Sequence, residues 1–181
     1  MQSLQILFVV VLILNPSRLN SYSYYSHTYI PPYKDIKVKE IKEMPVLIPD
    51  WKLVVLTAIQ EASTEGLIGM TVVCEVIRDR AATKYNSDGT IPGTVLAPKQ
   101  FSGWNTNDPN RIRSLSYDIS HPAMVDAIRA YKNAFEKRTN YAMGANLYHA
   151  DYMDPYPPWS KAPNVVRLGQ VGTHILYLEK R

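Results

Sequence analysis

The stretch AIQEASTEGLIGMTVVCEVIRDR, from Ala58 to Arg80, constrains the chain more than any other. Upstream, KLVVLTAI has the apolar density of a buried helix. Downstream, Met70, Val73, Cys74, Ile77 and Ala81 recur at helical spacing and mark the inner face of a second helix. Between them, Glu-Ala-Ser-Thr-Glu-Gly breaks the pattern and carries two carboxylates, Glu61 and Glu65. The expected local structure is helix, polar break, helix, with Glu61 at the end of the first apolar helix. Burial there disfavours the charged form, so the pKa of Glu61 rises and the group can deliver a proton near neutral pH. Most glutamates are solvated, so position alone does not assign this one a role.

The remaining elements follow from the same kind of reading. Asp50, after Pro49, is placed to cap a helix over Trp51–Ala62, and Gly66–Thr83 forms the second helix. Residues 84–99 carry Asn-Ser-Asp-Gly, Ile-Pro-Gly and Ala-Pro and read as a loop with room for one helical turn. The following QFSGWN interleaves polar side chains with Phe101 and Trp104, which suits a sugar-binding wall where aromatic faces stack on pyranose rings. Phe101 itself reads as a core plug. Residues 105–120 are polar and loop-like. Pro122 opens a helix over 123–137 whose stripe Val125, Ile128, Tyr131 and Phe135 faces the core. Residues 146–150 and 173–178 alternate as two short strands that pair antiparallel, and the proline-rich MDPYPPWSKAP between them is a rim loop. The sum is a small α+β, mainly α domain over residues 50–181.

Ahead of it, LQILFVVVLIL (Leu4–Leu14) is the strongest hydrophobic run. A membrane span needs about twenty residues, so the run fits the apolar part of a secretory signal or signal-anchor, ended by Asn15-Pro16. No Lys or Arg precedes it and no Ala-x-Ala site follows. Residues 21–49 are rich in Tyr, Pro and Lys and read as a linker, with a short edge strand at 36–41. Fully extended, such a linker reaches roughly 100 Å. Export across, or anchoring in, the inner membrane is expected, with transient membrane association through residues 4–14. The net charge of +4 is spread without a dense basic run, which argues against nucleic-acid binding. The single cysteine, Cys74, lies on the apolar helix face as a small core residue and allows no internal disulfide. A monomer is expected.

EASTEGLIGM followed by Arg-Asp-Arg, IPGTVLAPKQFSGWN, ANLYHADYMDPYPPW and VGTHILY occur in this order over about residues 53–178. The ordered set resembles the SleB-like cell-wall hydrolases, which include spore-cortex-lytic enzymes and phage endolysin domains. The first family block reads roughly Gly-Glu-Ala-Arg-Gly-Glu. Glu61, Ala62, Glu65 and Gly69 keep it, whereas Gln60, Ser63 and Thr64 replace Gly, Arg and Gly. The resemblance implies a lysozyme-like, lytic-transglycosylase-related domain that cleaves the MurNAc–GlcNAc β-1,4 bond of peptidoglycan glycan strands. It implies Glu61 as acid and base, and Glu65, Gln100, Ser102, Trp104, Tyr148, His149 and Trp159 along the substrate cleft, although Glu65, one helical turn from Glu61, equally suits a structural hydrogen bond. It implies no cofactor and no metal. A phage endolysin for host lysis is the expected setting.

Two other classes compete. His149, Asp151 and His174 invite a zinc-amidase reading, an N-acetylmuramoyl-L-alanine amidase, but their spacing is no compact metal motif. The replaced residues beside Glu61 allow a wall-binding module without chemistry. If instead a second carboxylate is needed, Asp108, Asp118, Asp151 and Asp154 are available, with Asp151 favoured because it follows Tyr148 and His149.

Overall fold

A computed structural model describes residues 48–106 and 108–181. The apolar run at 4–14, the linker to residue 47 and the edge strand expected at 36–41 lie outside the described residues. Helix α1 (Asp50–Ala62) is followed by a 3-10 turn (Ser63–Glu65) and helix α2 (Gly66–Thr83). Pro49 is the cap residue of α1 and Asp50 its first helical residue, so Asp50 does not cap the helix as expected. Leu53 to Ile59 are all buried, which makes α1 the central rod of the domain.

Helix α2 is buried on every side from Met70 to Ile77, so the expected single inner face is too narrow. Met70, Val73, Cys74 and Ile77 pack with α1, while Val72 and Val76 pack on the other side with Ala142, Ala145 and Leu176. A helix apolar all round is one enclosed by other elements, and each fully buried aliphatic side chain contributes about 1.5–3 kcal/mol. Glu75 lies within this buried span. Its Oε2 accepts the Ala142 N–H at 2.6 Å and so anchors the loop entering the sheet.

Helix α3 (Ile91–Val95) is the single turn expected within the 84–99 loop, capped by Thr90. Residues 105–120, expected as loop, contain helix α4 (Pro109–Leu115). Asp108 caps it, accepting the Asn110 N–H at 2.8 Å, and Pro109 fills its first position. The polarity that suggested a loop belongs to a short helix with an exposed side.

Helix α5 (Pro122–Tyr131) runs into a π-helical turn (Lys132–Glu136). Its buried line is Met124, Ala127, Ala130 and Ala134, not the expected stripe. Ile128, Tyr131 and Phe135 are half-buried beside that line, and Val125 is exposed. Alanines on the contact line let the helix axes come close, so the larger side chains flank the seam.

Three strands follow: β1 (Leu147–Ala150), β2 (Val165–Val171) and β3 (His174–Glu179). They form an antiparallel sheet in the order β1-β3-β2. Strand β2, which sequence patterning did not predict, pairs with β3 through an irregularity between Arg167 and Gly169. A broken register with mixed exposure hides the period-2 signal. The fold is thus α+β and mainly helical with a small antiparallel sheet, as the sequence indicated.

Candidate active site

Glu61 closes α1 and is partly exposed, where the helix leaves the core. Strand β1 brings Tyr148 against it, and the Tyr148 hydroxyl donates to Glu61 Oε2 at 3.1 Å. The tyrosine ring bridges the two core clusters, so its position is set by packing from both sides. A 3-10 turn (Ser102–Trp104) brings the Gly103 amide near the same carboxylate. A Cβ at Gly103 would lie 2.5 Å from Gln60 Oε1 and 2.8 Å from Gln60 Cβ. Only glycine lets this turn approach the helix end so closely.

Two glutamates one turn apart thus meet opposite environments. Burial raises the pKa of Glu61, opposed by the Tyr148 hydrogen bond, the Arg80 charge and the Gly103 amide, while the Asp108 charge adds to the rise. Glu65 is held below the ordinary range because Thr173 donates twice, from its N–H at 3.0 Å and its hydroxyl at 2.8 Å. Glu65 is therefore an ionised clamp joining the α1–α2 break to the β2–β3 turn. Gly172 belongs to that turn, with φ +56° and its Cβ site 2.2 Å from Glu65 Oε2, so only glycine fits. Environments that push two carboxylates apart in this way separate an acid from a structural anion. Burial, with Glu61 nearby, holds the pKa of Tyr148 well up, so its hydroxyl remains a donor.

The other residues expected in the cleft divide. Ser102 is exposed beside the Gly103 amide, as a substrate contact requires. Gln100 is not a free sugar ligand, because its Oε1 accepts from Arg80 Nη1 at 3.1 Å. Trp104 is not on the wall. It is buried, and its indole donates to Thr57 Oγ1 at 2.9 Å, inside the core beneath α1. Phe101 is buried as expected.

His149 also leaves the site. Neighbouring strand residues point to opposite faces, so Tyr148 facing Glu61 sends His149 to the far side of the sheet. There Nδ1 meets the Ala150 carbonyl at 2.9 Å and Nε2 the Tyr177 hydroxyl at 3.0 Å. A carbonyl only accepts, so Nδ1 carries the proton and Nε2 accepts from Tyr177. Trp159 packs edge-on against His149 and Tyr177 in the same outer layer, away from Glu61.

His174 pairs across from Ala150, on the Tyr148 face, where its ring meets that of Tyr148 edge-on at 4.9 Å. The two histidines therefore sit on opposite faces and cannot share a metal ion. Among the described residues no three His, Cys, Asp or Glu side chains converge to hold one. Cys74 is fully buried and burial pushes its thiol pKa up, which suits a core residue and not a nucleophile. Asp151 accepts from Gln170 at 2.8 Å on the sheet edge. The acidic residue whose charge acts on Glu61 is Asp108, not Asp151.

Arg80, whose charge bears on Glu61, is a residue that sequence reasoning left without a role. Val73, Ile77 and Arg80 fall on one helical face, so a cation in line with buried aliphatics was the available signal.

A family model described as Cell Wall Hydrolase matches residues 64–177, opening just after Glu61 and ending in β3. The chain belongs to the cell wall hydrolase family. A comparison with curated proteins gives no match. Among solved structures, the hydrolase is similar to the catalytic domain of the Bacillus cereus SleB protein, at 20% identity over 70% of this chain and 88% of that one, with a TM-score of 0.49. The catalytic domain of the germination-specific lytic transglycosylase SleB from Bacillus anthracis is also 20% identical, over 70% of this chain and 92% of that one, with a TM-score of 0.43. Among the described residues no helix is long and apolar enough to cross a membrane.

Proposed function

We propose that this family member cleaves the MurNAc–GlcNAc β-1,4 bond of peptidoglycan by a single-acid, lytic-transglycosylase route. The observation that carries the reading is Glu61: a carboxyl with a raised pKa at a partly exposed helix end, hydrogen-bonded by Tyr148 and facing the Gly103 amide. Protonated, it gives its proton to the glycosidic oxygen as the bond to the MurNAc anomeric carbon breaks. The C6 hydroxyl of the same MurNAc then bonds that carbon, and the Glu61 carboxylate takes the hydroxyl proton. The products are a 1,6-anhydro end and a free GlcNAc hydroxyl, and Glu61 returns to its starting state. Tyr148 donates throughout and bonds most strongly when Glu61 is ionised. Ser102 is proposed as a contact to the glycan.

Asp108 supports a second reading, a muramidase in which a carboxylate opposite the acid serves a water or the sugar. Its charge acts on Glu61, although it also caps α4. Mass spectrometry of digested peptidoglycan decides between the two. The transglycosylase yields ends lighter by one water, whereas reducing ends alone, with activity lost in Asp108→Asn, establish the hydrolase. Free stem peptides on intact glycan would overturn both.

Glu61→Gln preserves shape and removes the proton. It is expected to abolish wall clearance and leave the fold intact, and near-normal clearance would remove Glu61 from the mechanism. The Leu4–Leu14 run supports delivery to the periplasm or wall by export or inner-membrane anchoring, with host lysis by a phage as the setting. Fusion of the first fifty residues to a reporter active only in the periplasm tests this, and a silent reporter refutes it.

A further inference from the structure

Arg80 is buried, yet among the described residues it forms no ion pair. Neutral groups hold it instead. Its Nε donates to the Asn146 carbonyl at 2.7 Å and its Nη1 to Gln100 Oε1 at 3.1 Å. The guanidinium carbon lies 5.2 Å from the Phe101 ring centroid and 5.7 Å from that of Tyr85. A desolvated cation without a contacting counter-ion is costly. Arginine nonetheless keeps its charge in such a place, because its intrinsic pKa is so high.

The two segments that grip it are those that serve Glu61. Gln100 and Phe101 run directly into the turn carrying Gly103, and Asn146 immediately precedes the strand carrying Tyr148. The guanidinium is thus tied to both arms that reach the carboxylate. Around Glu61, Tyr148 comes from β1, Arg80 from α2 and Asp108 from the start of α4. His174 of β3 lies behind Tyr148, and Glu65 is turned away to Thr173. Of these, Arg80 is the permanent cation.

We propose that Arg80 is a positioning residue of the reaction, resting on the reading of Glu61 as the acid. Its charge, fixed by Gln100 and the Asn146 carbonyl, stabilises the Glu61 carboxylate formed when the proton leaves. Its two hydrogen bonds also keep the Gly103 turn and Tyr148 in register about that carboxylate. The same field makes Glu61 a stronger acid than burial alone would leave it.

The test is the release of soluble glycan fragments by the full-length protein, as a function of pH and of peptidoglycan concentration, with thermal melting alongside. In Arg80→Gln the maximal rate should fall about 10- to 100-fold, with the concentration dependence unchanged. The alkaline limb, where Glu61 loses its proton, should move to higher pH because the opposing charge is gone. Arg80→Lys keeps the charge and should hold that limb near its original place. A folded Arg80→Gln variant with an unmoved limb would overturn the proposal, as would an Arg80→Lys limb displaced as far as that of Arg80→Gln. If Arg80→Gln does not fold, Gln100→Glu sets a carboxylate against the intact guanidinium. The limb should again move up, and an unmoved limb is the refuting result. Retained activity in Glu61→Gln would instead overturn the underlying reading, whatever these limbs do.

Discussion

Tyr148→Phe isolates one hydrogen bond at the heart of the site. The ring is fixed by both core clusters, so phenylalanine keeps the packing and only the 3.1 Å bond to Glu61 Oε2 is lost. A hydrogen bond to a charged group contributes about 1.5–3 kcal/mol, against about 1 kcal/mol between neutral groups. The bond is therefore worth about 0.5–2 kcal/mol more once Glu61 has given up its proton. At 1.36 kcal/mol per factor of ten, kcat should fall about 2- to 30-fold. The pH profile supplies an independent sign. The hydroxyl opposes the effect of burial on Glu61, so its removal raises that pKa and carries the alkaline limb to higher pH. Initial rates of glycan release across pH, on a variant with an unchanged melting curve, measure both quantities. A wild-type rate, or a limb that moves to lower pH, would refute the assignment of Tyr148 as the partner of the acid.

Trp104→Phe should cost about 1–3 kcal/mol through the lost Thr57 bond and buried area. That lowers Tm by about 2–4 °C per kcal/mol and leaves wall affinity unchanged; weaker wall binding at an unchanged Tm would return Trp104 to the cleft. Gly103→Ala puts a methyl group 2.5 Å from Gln60 Oε1, so the turn must withdraw its amide from Glu61. The expected result is about 1–3 kcal/mol of destabilisation with a reduced rate, and full activity would show that the amide does not serve the acid. Because the folded-state pKa of Glu65 is depressed, its stabilisation is present above the ordinary Glu range and lost as pH falls through the folded value. Urea midpoints from neutral pH downward should show this loss in the wild type and not in Glu65→Gln, and parallel curves would exclude the Thr173 clamp as its source.

The sequence by itself determined the central helices, the polar break between them and the carboxyl at the end of the first. These depend on local periodicity and on the contrast between apolar helix and polar break, which a linear pattern carries in full. It also indicated the strands of Tyr148 and His174, which form a short pair with an unbroken register. Tertiary structure decided the rest. Trp104 reads as a sugar platform beside Ser102 until the fold shows Thr57 waiting beneath it, since an indole serves a wall or a core equally well. His149 and Tyr148 are adjacent in sequence, yet the strand sends one to the acid and the other to the far side of the sheet. No local pattern states which face of the sheet the helices cover. The two glutamates differ for the same reason. One meets a half-buried tyrosine and the other the distant Thr173, and only contacts far apart in the chain raise the pKa of one and make the other a clamp.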